Sequence, residues 1–450
     1  MNDNFAGKKT ALLRTIGAPS AACVIIAAMV GSGIFSLTGQ FGAKLQSPTN
    51  VLAAWVFGGV LALTGALCFA ELGAMIPCSG GSVEFARRAF GATVGYLVAM
   101  VTILAGYILS AALVALFLAG YIDDLFAADL PDGTIAAVSI VLALLTQLLS
   151  VRSGFFANSA LAYVKIGFVL LFVVAGLLVP METRIESNAV NTAVTPSLFS
   201  PAVALATLSV SFAYLGWSTG ADIAGELRDP GRTVPRAILL AMGLVFALYI
   251  GVNLVYLRVM DPSAMLDADG TPMQAIGATT ARHLFGTAIG NGMGAVIALL
   301  FFSTNVAGLI AGARILESMA HAGEVPAALE TRTARGVPRN ALLVVTGGSL
   351  LSLGLGSLQE LLDLLTVLIA VFSALSVAAV LVLRRTMPHA ERPFRVPLFP
   401  IPPLVYLGVT AWSVFMSVEA AGWEPLGAAL VAVLLLLIAR PLLANQRTAA

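Results

Sequence analysis

Two stretches of this sequence place glycines and hydroxyl groups inside long apolar runs. The first reads Val30-Gly31-Ser32-Gly33-Ile34-Phe35, and the second Phe212-Ala213-Tyr214-Leu215-Gly216-Trp217-Ser218-Thr219-Gly220. Each glycine costs a helix about 1 kcal/mol relative to alanine. Backbone released in an apolar environment must find its partners in protein or ligand. A helix opened at such a point offers unpaired N–H groups where its second half begins and unpaired C=O groups where its first half ends. The N–H pole suits a carboxylate, and the C=O pole suits a cation. Close packing of helices through small residues fits Gly31-Ser32-Gly33 equally well. A third chemical group is Lys165, in Ala162-Tyr163-Val164-Lys165-Ile166-Gly167. It stands about eight residues inside its apolar run, roughly 12 Å at the helical rise. An ionisable group at that depth is expensive and marks a functional site by default. The bland alternative is a lysine that snorkels to the interface.

The elements that must position these groups follow from composition. Of 450 residues, 59% are hydrophobic and 10% charged, against roughly 25% charged in soluble chains. Too little polar surface is left to cover a soluble body, and the hydropathy asks for many spans of about 20 residues. Apolar stretches fall at 17–41, 49–76, 92–122, 133–150, 157–180, 199–222, 237–259, 285–313, 340–357, 361–383, 403–420 and 425–442, which predicts twelve spans. Lys8, Lys9 and Arg14 precede the first apolar run as in a signal peptide, but no convincing cleavage site follows, so it reads as the first span.

Charge placement supports this alternation. Every second loop, starting from the N-terminus, collects the basic residues: Arg87 and Arg88, then Arg152, Arg228, Arg232 and Arg236, then Arg314, Arg332, Arg335 and Arg339, then Arg384, Arg385, Arg392 and Arg395, with Arg440 and Arg447 last. The opposite loops hold Lys44, Arg184, Arg258 and Arg282, together with Asp123, Asp124, Asp129, Asp132, Asp261, Asp267 and Asp269. The positive-inside rule places both termini in the cytoplasm of a multi-pass, inner-membrane protein.

Several function classes are excluded. A net charge of +1 gives nucleic acid no electrostatic footprint. Cys23, Cys68 and Cys78 lie in or beside apolar runs without metal-ligand spacing, and read as buried free thiols. His283, His321 and His389 are far apart in loops. With no HExxH and no acidic cluster within spans, neither a metal, a cofactor nor an enzyme is expected.

Direction then turns the two glycine stretches into a site. Gly31 and Gly216 each open a block of five predicted spans. Five is odd, so the second block enters the membrane inverted relative to the first. The first span rises from the cytoplasm, so free amides near Ser32 to Ile34 point at the midplane, while carbonyls near Ala28, Met29 and Ile34 suit a cation. The sixth span descends from outside, so carbonyls near Phe212 to Leu215 end its outer half. A positive and a negative backbone pole side by side match a zwitterion, and an α-amino acid is the simplest such solute.

At this point the chain resembles the amino acid–polyamine–organocation (APC) permeases. Gly31-Ser32-Gly33-Ile34-Phe35 resembles their first-helix motif. Pro77-Cys78-Ser79-Gly80-Gly81-Ser82 with Arg87-Arg88-Ala89-Phe90-Gly91, the run from Phe212 to Trp217 with Gly225-Glu226-Leu227-Arg228-Asp229-Pro230, Arg314-Ile315-Leu316-Glu317, and Arg392-Pro393-Phe394-Arg395-Val396-Pro397 follow in the family's order. The resemblance implies an all-α integral membrane protein of twelve transmembrane helices with the LeuT-type fold. A cytoplasmic N-terminus (1–16) would precede a first five-helix repeat (17–180), an inverted second repeat (199–384), two C-terminal helices (403–442) and a tail (443–450). It implies a secondary active amino acid transporter working by alternating access. Amides at Ser32 and Gly33 would hold the substrate carboxylate, carbonyls at Met29, Ile34, Phe212, Ala213 and Leu215 its ammonium, and Phe212 or Trp217 would gate the bound solute. Packing is the bland role for both aromatics.

Many relatives carry an acid near position 215, where this chain has Leu215, and an aromatic at position 83, where it has Val83. The first departure favours neutral L-amino acids over a cationic amino acid or polyamine antiporter. By resemblance Lys165 stands where sodium-coupled cousins bind their cation, which counts against a sodium-coupled LeuT-type symporter. A desolvated ammonium gives up its proton more readily, so Lys165 suits proton-coupled uptake, or, as a fixed charge, amino acid exchange. Glu71, Glu226, Arg228, Asp229 and Arg232 are candidates for ion pairs at a cytoplasmic gate, or are simply solvated helix ends. Ser303, Thr304 and Asn305 either line the path or bond between helices. Some relatives pair with an accessory glycoprotein through a cysteine. No suitable extracellular cysteine is seen here, and no such partner is expected.

Overall fold

The computed structural model describes residues 16–78, 80–127, 130–149, 154–181, 183–186, 196–267, 270–334 and 336–443. Lys8, Lys9, Arg14, Asp129, Arg152, Asp269, Arg335 and Arg447 lie outside them, as do most of the N-terminus at 1–16 and of the tail at 443–450. Among the described residues the chain is helical, with isolated β-bridges and no strand.

The first apolar stretch is two helices, α1 (Ala18–Met29) and α2 (Gly33–Leu45). Then come α3 (Pro48–Met75), the short α4 (Gly81–Phe90), and a continuous run made of α5 (Ala92–Val101), a π-helical segment (Thr102–Leu109) and α6 (Ser110–Phe126). Next are α7 (Asp132–Leu149) and α8 (Gly154–Leu178). The sixth apolar stretch is again divided, into α9 (Pro201–Ala213) and the single turn α10 (Thr219–Asp222). They are followed by α11 (Pro230–Val259), α12 (Ile276–Phe285), α13 (Thr287–His321), α14 (Arg339–Ser352), α15 (Leu358–Thr386), α16 (Ile401–Ala421) and α17 (Glu424–Leu443).

Among the described residues, eight helices or helix pairs are long and apolar enough to cross a membrane: α1–α2, α3, α5–α6, α11, α13, α15, α16 and α17. Asp132–Leu148, Tyr163–Leu178 and Pro201–Ala213 are shorter apolar segments. The large apolar side chains on α17 that stay more than half exposed are Leu430, Val431, Leu434, Leu435, Ile438 and Leu442. Apolar surface of this kind is what lipid covers.

The helix starts are written locally. Proline, whose missing N–H is no loss in a first turn, opens α3, α9 and α11. Ser200 caps α9 by accepting from the Val203 amide. Ser357 and Glu360 form a reciprocal capping box at the start of α15.

Two groups of helices pack around the divided ones. The helices α1 and α2 lean on α11, α8 and α9, and α3 packs against both α9 and α11. On the other side α13 packs against α6, α7 and α14. Small residues bring the backbones close: the place of a Cβ on Gly58 of α3 lies 2.5 Å from Val210 of α9, and on Gly312 of α13 it lies 2.8 Å from Tyr107 in the π segment.

One buried ion cluster ties the ends of this arrangement. Glu71 on α3 has no exposed side-chain surface. Its carboxylate accepts from Arg384 Nε at 2.8 Å and from the Val396 amide at 2.6 Å. Arg392 Nε stands 3.4 Å away, and the Arg392 guanidinium also donates to the carbonyls of Leu383 and Met387. Arg384 lies over the Phe399 ring, 3.7 Å from its centroid. Glu71 therefore takes its partners from α15 and the segment after it, not from the end of the sixth stretch. There, Asp229 faces Arg232 at 3.9 Å in an exposed pair. Removing one member of a buried pair strands the other, at about 3–5 kcal/mol. Glu71→Ala should lower the thermal unfolding midpoint of the purified protein far more than Asp229→Ala. Equal midpoints for the two variants would contradict the cluster's structural role.

Candidate functional site

The first helix stops because Val30 leaves helical geometry, at φ −74° and ψ 91°. Its amide donates the last helical bond, to the Ile26 carbonyl at 2.7 Å. Helical bonding resumes with the Phe35 amide on the Ser32 carbonyl at 3.1 Å. Among the described residues, the amides of Gly31, Ser32, Gly33 and Ile34 have no backbone acceptor. They are the N-terminal donors that a second half-helix leaves open. Ser32 is buried beside them, with Gly33 and Ile34.

The second break runs from Tyr214 to Ser218, with Gly216 at φ +115°. Only glycine adopts that conformation without strain. It also lets two backbones meet, since a Cβ on Gly216 would lie 2.8 Å from the Ala28 carbonyl carbon and from the Met29 amide nitrogen. The first break makes the reciprocal approach, for a Cβ on Gly33 would lie 2.6 Å from the Ala213 Cβ. The structure thus brings Met29, Ser32, Gly33, Ile34 and Ala213 into one junction. Phe212 and Leu215 border it, both half-buried. Trp217 is buried and turns to α3, edge-on to Phe69 at 4.7 Å and against Gly65. Leu215 and Trp217 share a small cavity with Ser211, Tyr406 and Thr410 behind the break.

Carbonyls at and beside the junction are met by phenols that sequence reasoning missed. Tyr249 of α11 donates to the Met29 carbonyl at 2.8 Å and lies 3.2 Å from the Ala213 carbonyl. Tyr256, two turns on, donates to the Ile34 carbonyl at 3.2 Å. Tyr121 of α6 donates to the Phe35 carbonyl at 2.7 Å and accepts from the Gly277 amide. Trp55 holds the Tyr249 ring edge-on at 5.5 Å. The available signal was chemical: a tyrosine inside an apolar helix brings a hydroxyl that needs a partner when buried. Tyr249 and Tyr256 stand seven residues apart on one helix face.

Lys165 is buried on α8, which packs against α1. Its Nζ donates to Thr304 Oγ1 at 3.0 Å, and Thr304 donates in turn to the Leu300 carbonyl. The Thr304 methyl is 4.0 Å from where a Cβ on Gly31 would stand. The ammonium is therefore held between α8 and α13 beside the first break. Among the described residues no carboxylate forms a salt bridge with it. One residue on, Asn305 is buried with its amide nitrogen unpaired. No group of metal-ligating side chains is found among the described residues.

Residues 16–438 match a family model described as amino acid permease. The chain is 29% identical over 428 residues to the b(0,+)-type amino acid transporter 1 of Mus musculus, covering 93% of this chain and 85% of that protein. It is 30% identical over 428 residues to the Asc-type amino acid transporter 1 of Rattus norvegicus, covering 92% and 78%. The large neutral amino acids transporter small subunit 2 of Homo sapiens is 29% identical over 411 residues, covering 89% and 75%.

The junction makes two stability predictions. Gly216→Val forces a branched side chain into a positive φ, about 1–3 kcal/mol for the backbone alone, and against the Ala28–Met29 peptide. It should lower the unfolding midpoint more than Gly243→Val, on open helix surface. Tyr249→Phe keeps the ring but strands the carbonyl pair, at about 1–3 kcal/mol. Its midpoint should fall in the same thermal assay, and no shift would mean that the hydroxyl does not hold the carbonyls.

Proposed function

This chain belongs to the amino acid permease family, and from that premise we propose that it is a secondary transporter of neutral L-amino acids. Substrate binds where the two interrupted helices meet, and the site opens alternately to the two sides of the membrane. The observation that carries this reading is the row of amides at Gly31 to Ile34 without backbone acceptors, set against the carbonyls of Met29 and Ala213. The amides of Ser32 and Gly33 take the carboxylate. A carbonyl oxygen has two lone pairs, and Met29 and Ala213 share one phenolic proton, so acceptor capacity is left for an ammonium. The carbonyls of Ile34, Phe212 and Leu215 complete that pole, with Phe212 and Trp217 as gating aromatics. Leu215 gives a cationic side chain no partner, which favours neutral substrates.

The topology in this reading has twelve spans, the short apolar helices included, and two inverted repeats at 17–180 and 199–384. Helices 403–442 follow, and both termini are in the cytoplasm of an inner membrane. The alternation of basic loops supports it. Cys23, Cys68 and Cys78 lie in α1, in α3 and just past α3. None is on the outer side in this topology, so the transporter works without a disulfide-linked glycoprotein. Lys165 links coupling to the site, because its ammonium abuts the first break through Thr304. Transport is either proton-coupled uptake, with Lys165 releasing its proton in the cycle, or exchange, with the fixed charge returning only alongside substrate.

Purified protein in liposomes, offered radiolabelled amino acids with and without internal substrate, a proton gradient and sodium, tests the whole reading. Uptake of neutral amino acids without a sodium requirement is expected, and uptake confined to cationic substrates would overturn the substrate class. Lys165→Ala should alter the dependence of uptake on the proton gradient or on internal substrate. Unchanged behaviour on both counts removes Lys165 from coupling.

A further inference from the structure

A second cavity lies away from the junction, at the end of the bundle where α2 finishes and α9 begins. It encloses about 350 Å³, within the rough range of 300–1,000 Å³ for small-molecule sites. Its walls come from α2, α9 and α15, with the end of α16 at its edge. Gln40 and Lys44, one turn apart on α2, both line it. Gln40 is only 5% exposed, and among the described residues its side-chain amide makes no hydrogen bond and borders the cavity. Among the described residues the Lys44 ammonium makes no salt bridge, and its charge acts on Asp363 without contact. Across the cavity, Gln359 donates its amide to the buried Asp363 at 2.9 Å, which leaves its own amide oxygen open. Phe41, Leu205 and Leu362 supply an apolar wall.

This is a polarised container. One wall offers a cation and a free amide, and the opposite wall an amide oxygen backed by a carboxylate. An anionic ligand alone would leave the Gln359 amide oxygen unmatched, and a cation alone would leave the Gln40 amide unmatched and add to the charge of Lys44, which acts on Asp363. A zwitterion with an apolar substituent satisfies both walls. The cavity also leans on the half-helices that frame the junction. Ser209, on its wall, precedes Ala213 by four residues, about 6 Å of helix.

We infer that this cavity is a second amino-acid-binding site, with the carboxylate on Lys44 and Gln40, the ammonium on Gln359, and the side chain against Phe41 and Leu362. The inference rests on the transporter reading and adds to it a waiting site beside the central one. Substrate held there stands on α2 and α9, and so loads the half-helices whose inner ends form the junction.

Equilibrium binding of tritiated L-leucine and L-alanine to the purified full-length protein tests this. Two molecules per chain are expected at saturation for the intact protein. Lys44→Ala and Gln40→Leu should each leave one, bound with unchanged affinity. Ala202→Trp, which fills the cavity without removing a polar group, should do the same, and thermal unfolding of each variant checks its fold. One molecule per chain in the unaltered protein overturns the second site and leaves the transporter reading standing. So do two molecules per chain that persist in all three variants. Absence of binding by either amino acid, together with absence of their uptake in liposomes, overturns the neutral-substrate reading and the second site with it.

Discussion

Gly33 faces Ala213 and Gly216 faces the Ala28–Met29 peptide, each at a distance where a methyl group would overlap its neighbour. That mutual approach is the constraint on which the rest of the arrangement hangs. The two segments can approach this closely only because one partner in each contact, Gly33 or Gly216, has no side chain, and there both segments have also lost helical bonds. Loss of the bonds creates the polar groups, and lack of side chains makes them accessible. Either half alone is a liability in lipid, where an unpaired amide or carbonyl has no water to turn to. Placed against each other, the two breaks concentrate unpaired donors at Gly31 to Ile34 and acceptors at Met29 and Ala213 in one small volume.

The surrounding helices serve this junction in a specific way. Tyr249, Tyr256 and Tyr121 come from α11 and α6; Tyr249 sends its hydroxyl to the carbonyl that ends α1, and Tyr256 and Tyr121 send theirs to carbonyls in the first turn of α2. Trp55 on α3 fixes one of these rings, and its indole donates to Thr38 on α2, which donates to Asn253 on α11. Carbonyls are thus supplied with donors by the protein, whereas the amides of the first break have no backbone acceptor. The junction is asymmetric: its acceptors are partly satisfied and its donors are open, which suits the carboxylate of the proposed substrate. Glu71 and its arginines play a complementary part, fixing α3 to the end of α15 with a buried network.

How much of this was legible in the sequence depends on whether the information is local. Each predicted apolar stretch coincides with a helix or a consecutive set of helices, because hydropathy and helix-start chemistry are properties of neighbouring residues. Both breaks were legible, since Gly31, Gly33 and Gly216 weaken a helix wherever it goes. The depth of Lys165 was legible too, as a distance along one helix. Partners across helices were not. Nothing in the residues around Glu71 points to Arg384, more than 300 positions away, and Glu71 was grouped instead with charges of the sixth stretch. The rotamer that carries Trp217 toward Phe69 likewise depends on Gly65 clearing a space on α3. The three phenols were overlooked because a tyrosine in an apolar run reads first as bulk.

The shared phenol also bears on how such a site could change state. Tyr249 has one proton for two carbonyls, and those carbonyls belong to different half-helices, Met29 ending α1 and Ala213 ending α9. A hydroxyl can donate fully to only one of them at a time. Under the proposed function, a substrate ammonium would bring donors for both carbonyls. In that proposal the gain would be greatest with the Met29 and Ala213 carbonyls both turned toward the ligand, which would tie the position of α1 to the position of α9. A ligand shifts a conformational equilibrium only by its difference in affinity for the two states. In the proposed transporter the source of that difference is the hydrogen bonding of one side chain, a single donor serving two acceptors that end two different half-helices.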